Sequence, residues 1–128
     1  AHDFYGVDDA HYAAIRLIGA LYDADRSLGD LRDALPDYVS TPELRFAVAE
    51  ARKVGIVDDV VARLAADGAI VDLTDGARVT TPDGWWLLRA SNTQAALTVR
   101  AEARDPAALD RLLAAMDAQL AASGVARD

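Results

Sequence analysis

Residues 89–93 carry the side chains of this chain best suited to binding a small anion. Arg89 offers a planar fork of N–H donors, and Ser91, Asn92 and Thr93 add two hydroxyls and a carboxamide. A guanidinium matches phosphate oxygens in geometry and charge, and loop N–H groups can donate further hydrogen bonds. The pattern therefore indicates a phosphate-binding loop. Ser and Asn are also common in ordinary turns, so a plain turn is the alternative.

The elements that position this loop are predicted to be short strands. Residues 85–90 form an apolar run that ends at the loop, and Asp-Gly pairs at 75–76 and 83–84 indicate hairpin turns before it. Hairpins imply antiparallel pairing. The strands predicted in this part of the chain cover residues 43–48, 69–73, 77–81 and 85–90.

A last strand, predicted over residues 95–103, has the clearest alternation in the chain. Small or apolar side chains occupy every second position, and Thr98, Arg100 and Glu102 occupy the opposite face. This second face should meet solvent or a site. The alternative is that Arg100 and Glu102 only pair with their neighbours.

Helical patterns flank the strands. Asp8 or Asp9 can cap a helix over residues 10–22, and Ser27 with Asp30 predicts a capping box for a short second helix. Further helices are predicted over residues 52–66 and from Pro106, which Asp105 can cap. Strands in hairpins with helices early and late predict an α+β fold: a mostly antiparallel sheet of four to five strands, two helices packed on it and a short helical segment before it.

Composition excludes several classes of function. The net charge of −8 argues against nucleic-acid or anionic-membrane binding, which needs clustered Lys and Arg. The chain contains no Cys and two isolated His, so we predict neither a disulfide nor a metal site. No apolar run approaches the roughly 20 residues of a membrane span, and we expect a cytoplasmic protein.

The residues around the loop resemble the C-terminal domain of the α-D-phosphohexomutases, the family of phosphoglucomutase and phosphomannomutase enzymes. Residues 84–93 are similar to the family run Gly-Trp-x-Leu-x-Arg-x-Ser-Asn-Thr, and residues 97–103 to the next strand with its Arg-x-Glu. The Asp-Gly-x-Arg hairpin at 75–78, Ser-Thr-Pro-Glu at 40–43 and residues 5–14 resemble further family segments. The likeness covers nearly the whole chain.

Departures from the family pattern are also visible. Gln94-Ala95 stands where the family usually has an acidic or polar residue followed by Pro, and residues 1–2 match no family segment. The family's phosphoserine loop, its Asp-rich magnesium loop and its Gly-Glu-x-Ser sugar loop do not occur. We therefore expect a fragment of a longer protein, a processed chain being the alternative, and predict no mutase activity for it alone.

The resemblance implies a fold and a role. It implies a TATA-box-binding-protein-like domain over residues 41–128, preceded over 1–40 by the end of the family's third domain. Arg89, Ser91, Asn92 and Thr93 become the clamp for the non-reacting phosphate of a hexose phosphate, with Arg100 weaker.

The resemblance also implies partners. The N-terminal domains of the parent enzyme would carry the transfer between C1 and C6, with Mg2+ and a glucose or mannose bisphosphate activator in the parent and no cofactor in this chain. Residues 10–22, without their partner domain, are predicted to dock on the sheet, self-associate or exchange between chains. The alternative to this whole interpretation is a non-enzymatic α+β binding or assembly module that shares the fold.

Overall fold

The computed structural model describes residues 7–126, and the chain divides into two units, residues 1–36 and 37–128. Tyr5 and Gly6, which belong to the resemblance, and the unassigned residues 1–2 lie outside the described residues. Within residues 7–126 no helix is both long and apolar enough to cross a membrane.

The first unit contains two helices, α1 (Ala10–Ala24) and α2 (Leu28–Asp33). Asp9 caps α1, its carboxylate accepting from the Tyr12 N–H at 2.9 Å. The capping box of α2 is confirmed, and the hydrogen bonds from Ser27 hold the pKa of Asp30 below its usual range. Helix α1 buries none of its residues. Self-association through residues 10–22 stays a prediction.

The second unit confirms the α+β fold. Its order is two short strands, a helix, four consecutive strands and a last helix, and a 3-10 turn at Glu50–Arg52 precedes the first of these helices. The elements are β1 (Val39–Ser40), β2 (Leu44–Ala47), α3 (Lys53–Ala66), β3 (Ile70–Asp72), β4 (Ala77–Thr81), β5 (Gly84–Ala90), β6 (Ala96–Ala103) and α4 (Pro106–Ala122).

Strands β3, β4, β5 and β6 follow one another in the sheet, all antiparallel, and β1 and β2 both pair with β6 at its outer edge. The sheet thus has six strands, where four to five were predicted. Strand β1 was missed because two residues are too few to show a periodicity. It joins β2 through Thr41, whose N–H donates to the Ala101 carbonyl and whose hydroxyl accepts from the Ala101 N–H.

Alternation along β5 separates core from site. Trp86 and Leu88 are buried with α3 and α4 in one core, whereas Trp85, Leu87 and Arg89 lie on the opposite face of the strand. On α3 and α4, Val57, Val61, Leu109 and Leu113 are half-buried, and the buried apolar residues are Ile56, Val60, Leu64, Ala108, Leu112, Met116 and Leu120.

The turn that starts β5 is anchored to α4. Arg111 donates to both carboxylate oxygens of Asp83, at 2.7 and 2.6 Å, and Arg104 donates to the same carboxylate at 3.0 Å. The Arg111 hydrogen bonds lower the pKa of Asp83. These contacts hold the end of β5 that lies opposite Arg89.

Candidate functional site

The predicted anion-binding residues lie where β5 ends and turns into β6. Arg89 is paired with Thr98 of β6, and the β5–β6 loop, residues 91–95, connects the two strands. The Ser91 N–H donates to the Ala96 carbonyl at 2.9 Å, and the Ser91 hydroxyl accepts from the Gln94 N–H at 3.2 Å. The loop is therefore a turn that is closed by hydrogen bonds between its own residues.

Arg89 is held by three side chains. Its Nε donates to the Thr98 hydroxyl at 3.2 Å, Nη1 donates to Asp75 Oδ2 at 3.0 Å, and Nη2 lies 3.7 Å from Glu43 Oε2. The side chain remains 43% exposed. Arg89 is therefore fixed at its base by β6, while the two carboxylates occupy the part of the guanidinium that an incoming anion would use.

The position of Asp75 depends on the turn between β3 and β4. The Asp72 carboxylate accepts from the Thr74 N–H at 2.8 Å and its hydroxyl at 2.6 Å, and these bonds lower the pKa of Asp72. Gly76 has φ +83°, and a Cβ there would meet the Leu88 carbonyl oxygen and lie 2.7 Å from the Arg89 Cβ. Only glycine lets this turn lie against Arg89.

These residues enclose a cleft of about 250 Å³, which we call the Arg89 cleft. All four residues of the predicted clamp line it, together with side chains that the sequence did not single out. The lining residues are Glu43, Arg45, Asp75, Arg89, Ala90, Ser91, Asn92, Thr93, Gln94 and Thr98.

Arg45 is a second guanidinium of the cleft and was missed from the sequence. Its Nε donates to Glu43 Oε1 at 2.9 Å, and its Nη1 donates to Gln94 Oε1 at 2.9 Å. Glu43 thus bridges Arg45 and Arg89. The alternation in β2 predicts that Arg45 lies on the polar face of that strand. Its pairing with Thr98 could not be predicted, because the two residues are 53 positions apart and no local pattern links them.

Arg100 lies beside the cleft rather than in it. It lines an adjoining groove of about 270 Å³ together with Trp85, Leu87 and Val99, and this groove shares Glu43, Arg89 and Thr98 with the Arg89 cleft. Glu102, on the same face of β6, accepts from Trp85 Nε1 at 3.2 Å. Arg100 stays the weaker candidate.

Comparison with known proteins shows which family the chain resembles. Residues 43–119 match the family described as phosphoglucomutase/phosphomannomutase, C-terminal domain. The chain is 35% identical over 117 residues to a phosphomannomutase/phosphoglucomutase of Pseudomonas syringae pv. tomato, which covers 91% of the chain and 25% of that protein. It is 39% identical over 111 residues to a phosphoglucomutase of Neisseria meningitidis serogroup A, covering 85% of the chain and 24% of that protein.

A solved structure agrees with these relatives. A phosphoglucomutase/phosphomannomutase family protein from Burkholderia thailandensis superposes with a TM-score of 0.77 at 37% identity, over 94% of this chain and 25% of that one. The chain thus spans about a quarter of the length of the proteins it matches. The matched segment includes every residue of the Arg89 cleft. The chain therefore belongs to the phosphoglucomutase/phosphomannomutase family and contains that family's C-terminal domain.

Proposed function

We propose that the Arg89 cleft binds the phosphate of a hexose phosphate. In a phosphohexomutase, the domain that contains this cleft would then hold the phosphate that is not being transferred. The observation that carries the proposal is the convergence of Arg89, Ser91, Asn92 and Thr93 on one cleft. Arg45, on β2, adds a second positive charge. A plain turn or an assembly module needs neither guanidinium at such a loop.

The chemistry of the cleft suits a phosphate and does not read a sugar. Guanidinium and hydroxyl donors recognise phosphate oxygens, and both charges of the ligand would sit against Arg89 and Arg45. A site centred on phosphate accepts a hexose phosphate through either of its phosphorylated ends, as an exchange of phosphate between C1 and C6 requires. Binding energy gained at the remote phosphate then orients the reacting end. Movement of this domain onto the substrate would also exclude water from the transfer.

Glu43 and Asp75 have a defined part in this proposal. They neutralise Arg89 at 3.7 and 3.0 Å, as a phosphate would. The substrate phosphate would displace the Asp75 carboxylate from Nη1, since the two anions compete for the same donor. Asp75 is 70% exposed and can move into water when displaced.

The Mg2+ expected for the parent enzyme does not fit this cleft. Each of its carboxylates already pairs with a guanidinium, whereas Mg2+ prefers carboxylates and waters free of competing cations. In the part of the chain that the structure describes, no group of three or more His, Cys, Asp or Glu is placed to hold a metal ion. We therefore assign Mg2+ and the bisphosphorylated activator to the longer protein, as proposals. A cytoplasmic location stays a prediction as well.

Amide NMR titration of the 128-residue chain with inorganic phosphate, glucose 1-phosphate and mannose 1-phosphate tests the proposal. We expect chemical-shift changes concentrated at residues 89–94, similar for all three ligands, with a dissociation constant of about 1 mM because one isolated domain supplies few contacts. Arg104→Ala, which removes one positive charge at the other end of β6, should bind like the parent chain. Chemical-shift changes scattered over the surface, or weaker phosphate binding by Arg104→Ala than by the parent chain, would contradict a site in the Arg89 cleft.

Asp75→Asn is expected to tighten phosphate binding. The change removes the carboxylate that competes for Arg89, and an exposed ion pair of this kind contributes about 0.2–1 kcal/mol, so the gain should be about 1.4- to fivefold. The same titration measures it. Asp110→Asn, an equal change of charge on the exposed face of α4, serves as the control. Weaker binding by Asp75→Asn would mean that Asp75 orients Arg89 and does not compete with the ligand.

A further inference from the structure

Lys53, the first residue of α3, has an ammonium group that contacts the β5–β6 loop. Its side chain is only 10% exposed. Nζ donates to the Ser91 carbonyl at 2.6 Å and to the Gln94 carbonyl at 3.3 Å, and it pairs with Glu50 Oε1 at 2.6 Å. These three contacts match the three N–H donors of an ammonium.

Two physical effects oppose a cation at this position. Burial removes water from the charge, and the first turn of a helix is the positive end of its dipole. Glu50 offsets the charge only in part, because its side chain is 67% exposed and the ion pair is screened by water. The two loop carbonyls are therefore the contacts that make the buried position favourable.

The choice of residue type points in the same direction. The chain has 13 basic residues, of which 12 are arginines and Lys53 is the one lysine. An ammonium is a compact charge whose three donors diverge, whereas a guanidinium is a planar fork suited to two parallel acceptors. Lys53 Nζ contacts three separate acceptors, two backbone carbonyls and one carboxylate, so the three donors of an ammonium suit this position.

We infer that Lys53 is a positioning residue for the β5–β6 loop, and this role in phosphate binding depends on the proposed function. Its ammonium donates hydrogen bonds to the carbonyls of Ser91 and Gln94. These bonds hold Asn92 and Thr93, which lie between the two carbonyls in the chain, at the cleft. Lys53 is not among the described residues that line the cleft and acts through the loop. Tied carbonyl oxygens also cannot turn toward a bound phosphate, which they would repel.

The test compares Lys53→Met with Lys53→Arg in the 128-residue chain. We expect amide exchange at residues 91–94 to become about tenfold faster in Lys53→Met, since two charge-assisted hydrogen bonds to the loop are lost. Phosphate binding should weaken about fivefold, and Lys53→Arg should restore part of both. Arg52→Met removes a positive charge one residue earlier from a side chain that donates to the Ser123 carbonyl, so loop exchange should stay unchanged there. As the chain has one lysine, its Nζ resonance is unambiguous and should shift when phosphate is added.

Unfolding in urea separates positioning from bulk stability. If Lys53→Met loses stability but its loop amides exchange no faster than those of Arg52→Met, Lys53 is merely structural and the inference is overturned. Failure of the parent chain to bind phosphate would refute the proposed function instead. Loop exchange, measured without ligand, would still decide whether Lys53 orders the loop.

Discussion

Arg89→Ala is expected to weaken phosphate binding by the 128-residue chain about 30- to 100-fold, because charge-assisted hydrogen bonds contribute roughly 1.5–3 kcal/mol each. The loss extends beyond one donor. Arg89 and Arg45 balance Glu43 and Asp75 in the cleft, and the variant leaves two carboxylates against one guanidinium. The cleft would then repel the anion it is proposed to bind. Amide NMR titration with inorganic phosphate measures the effect.

Arg89→Lys separates charge from geometry. It keeps the positive charge but loses the planar fork, so its affinity should fall between those of Arg89→Ala and the parent chain. Both variants should keep most of their stability in urea, since the Arg89 side chain is 43% exposed. In the longer enzyme, Arg89→Ala should raise KM and lower kcat/KM. Unchanged phosphate affinity in a folded Arg89→Ala chain would remove this residue from the proposed clamp.

Some parts of this fold and site could be predicted because their sequence patterns involve residues close together in the chain. The strand that leads to Arg89 is marked by an apolar run after an Asp-Gly turn, and β5 covers Gly84–Ala90. The Ser27–Asp30 capping box likewise depends on residues three apart and was predicted. The residue types of the loop and the family resemblance both singled out its donors, and these residues line one cleft.

The missed residues depend on contacts between distant parts of the chain. Arg45 lines the cleft because β2 pairs with β6, and Lys53 contacts the loop because the first residue of α3 lies within hydrogen-bond distance of it. In the sequence, both are ordinary basic residues in amphipathic segments. Asp75 was recognised only as part of a turn, since its contact with Arg89 depends on how closely that turn approaches β5. Side chains that orient a binding residue or compete with its ligand are therefore harder to predict from the sequence than the donors themselves.

Gly84→Ala is expected to destabilise the fold by about 2–5 kcal/mol, combining the strain of a non-glycine residue at positive φ with overpacking. Gly84 has φ +148°, and a Cβ there would meet the Glu102 carbonyl oxygen and lie 2.8 Å from the Ala103 Cα. Both are backbone atoms of β6, so the clash cannot be relieved by a side-chain rotation. Relief requires β5 and β6 to separate at their first pair, Gly84 with Ala103.

Urea unfolding of Gly84→Ala beside Gly55→Ala tests this account of the sheet. Gly55 lies on the exposed side of α3, where an added Cβ would have no neighbouring atom within 4 Å, so alanine there should stabilise the helix by up to about 1 kcal/mol. Opposite signs for one and the same substitution would show that the backbone conformation of Gly84 and its close contact with β6, not a general effect of replacing glycine by alanine, set the cost. A Gly84→Ala chain as stable as the parent would show that the close approach of β5 to β6 is not what requires glycine.

The functional consequence of Gly84→Ala follows from alternation along β5. Arg89 faces the cleft only while β5 keeps its register with β6, since a slip by one residue turns its side chain toward the core. Gly84→Ala chains that remain folded at low temperature should therefore bind phosphate normally if the register holds, and amide NMR titration with inorganic phosphate measures this. Lost binding in a chain that is still folded would locate the damage in the register of β5, because Gly84 and Arg89 lie at opposite ends of that strand.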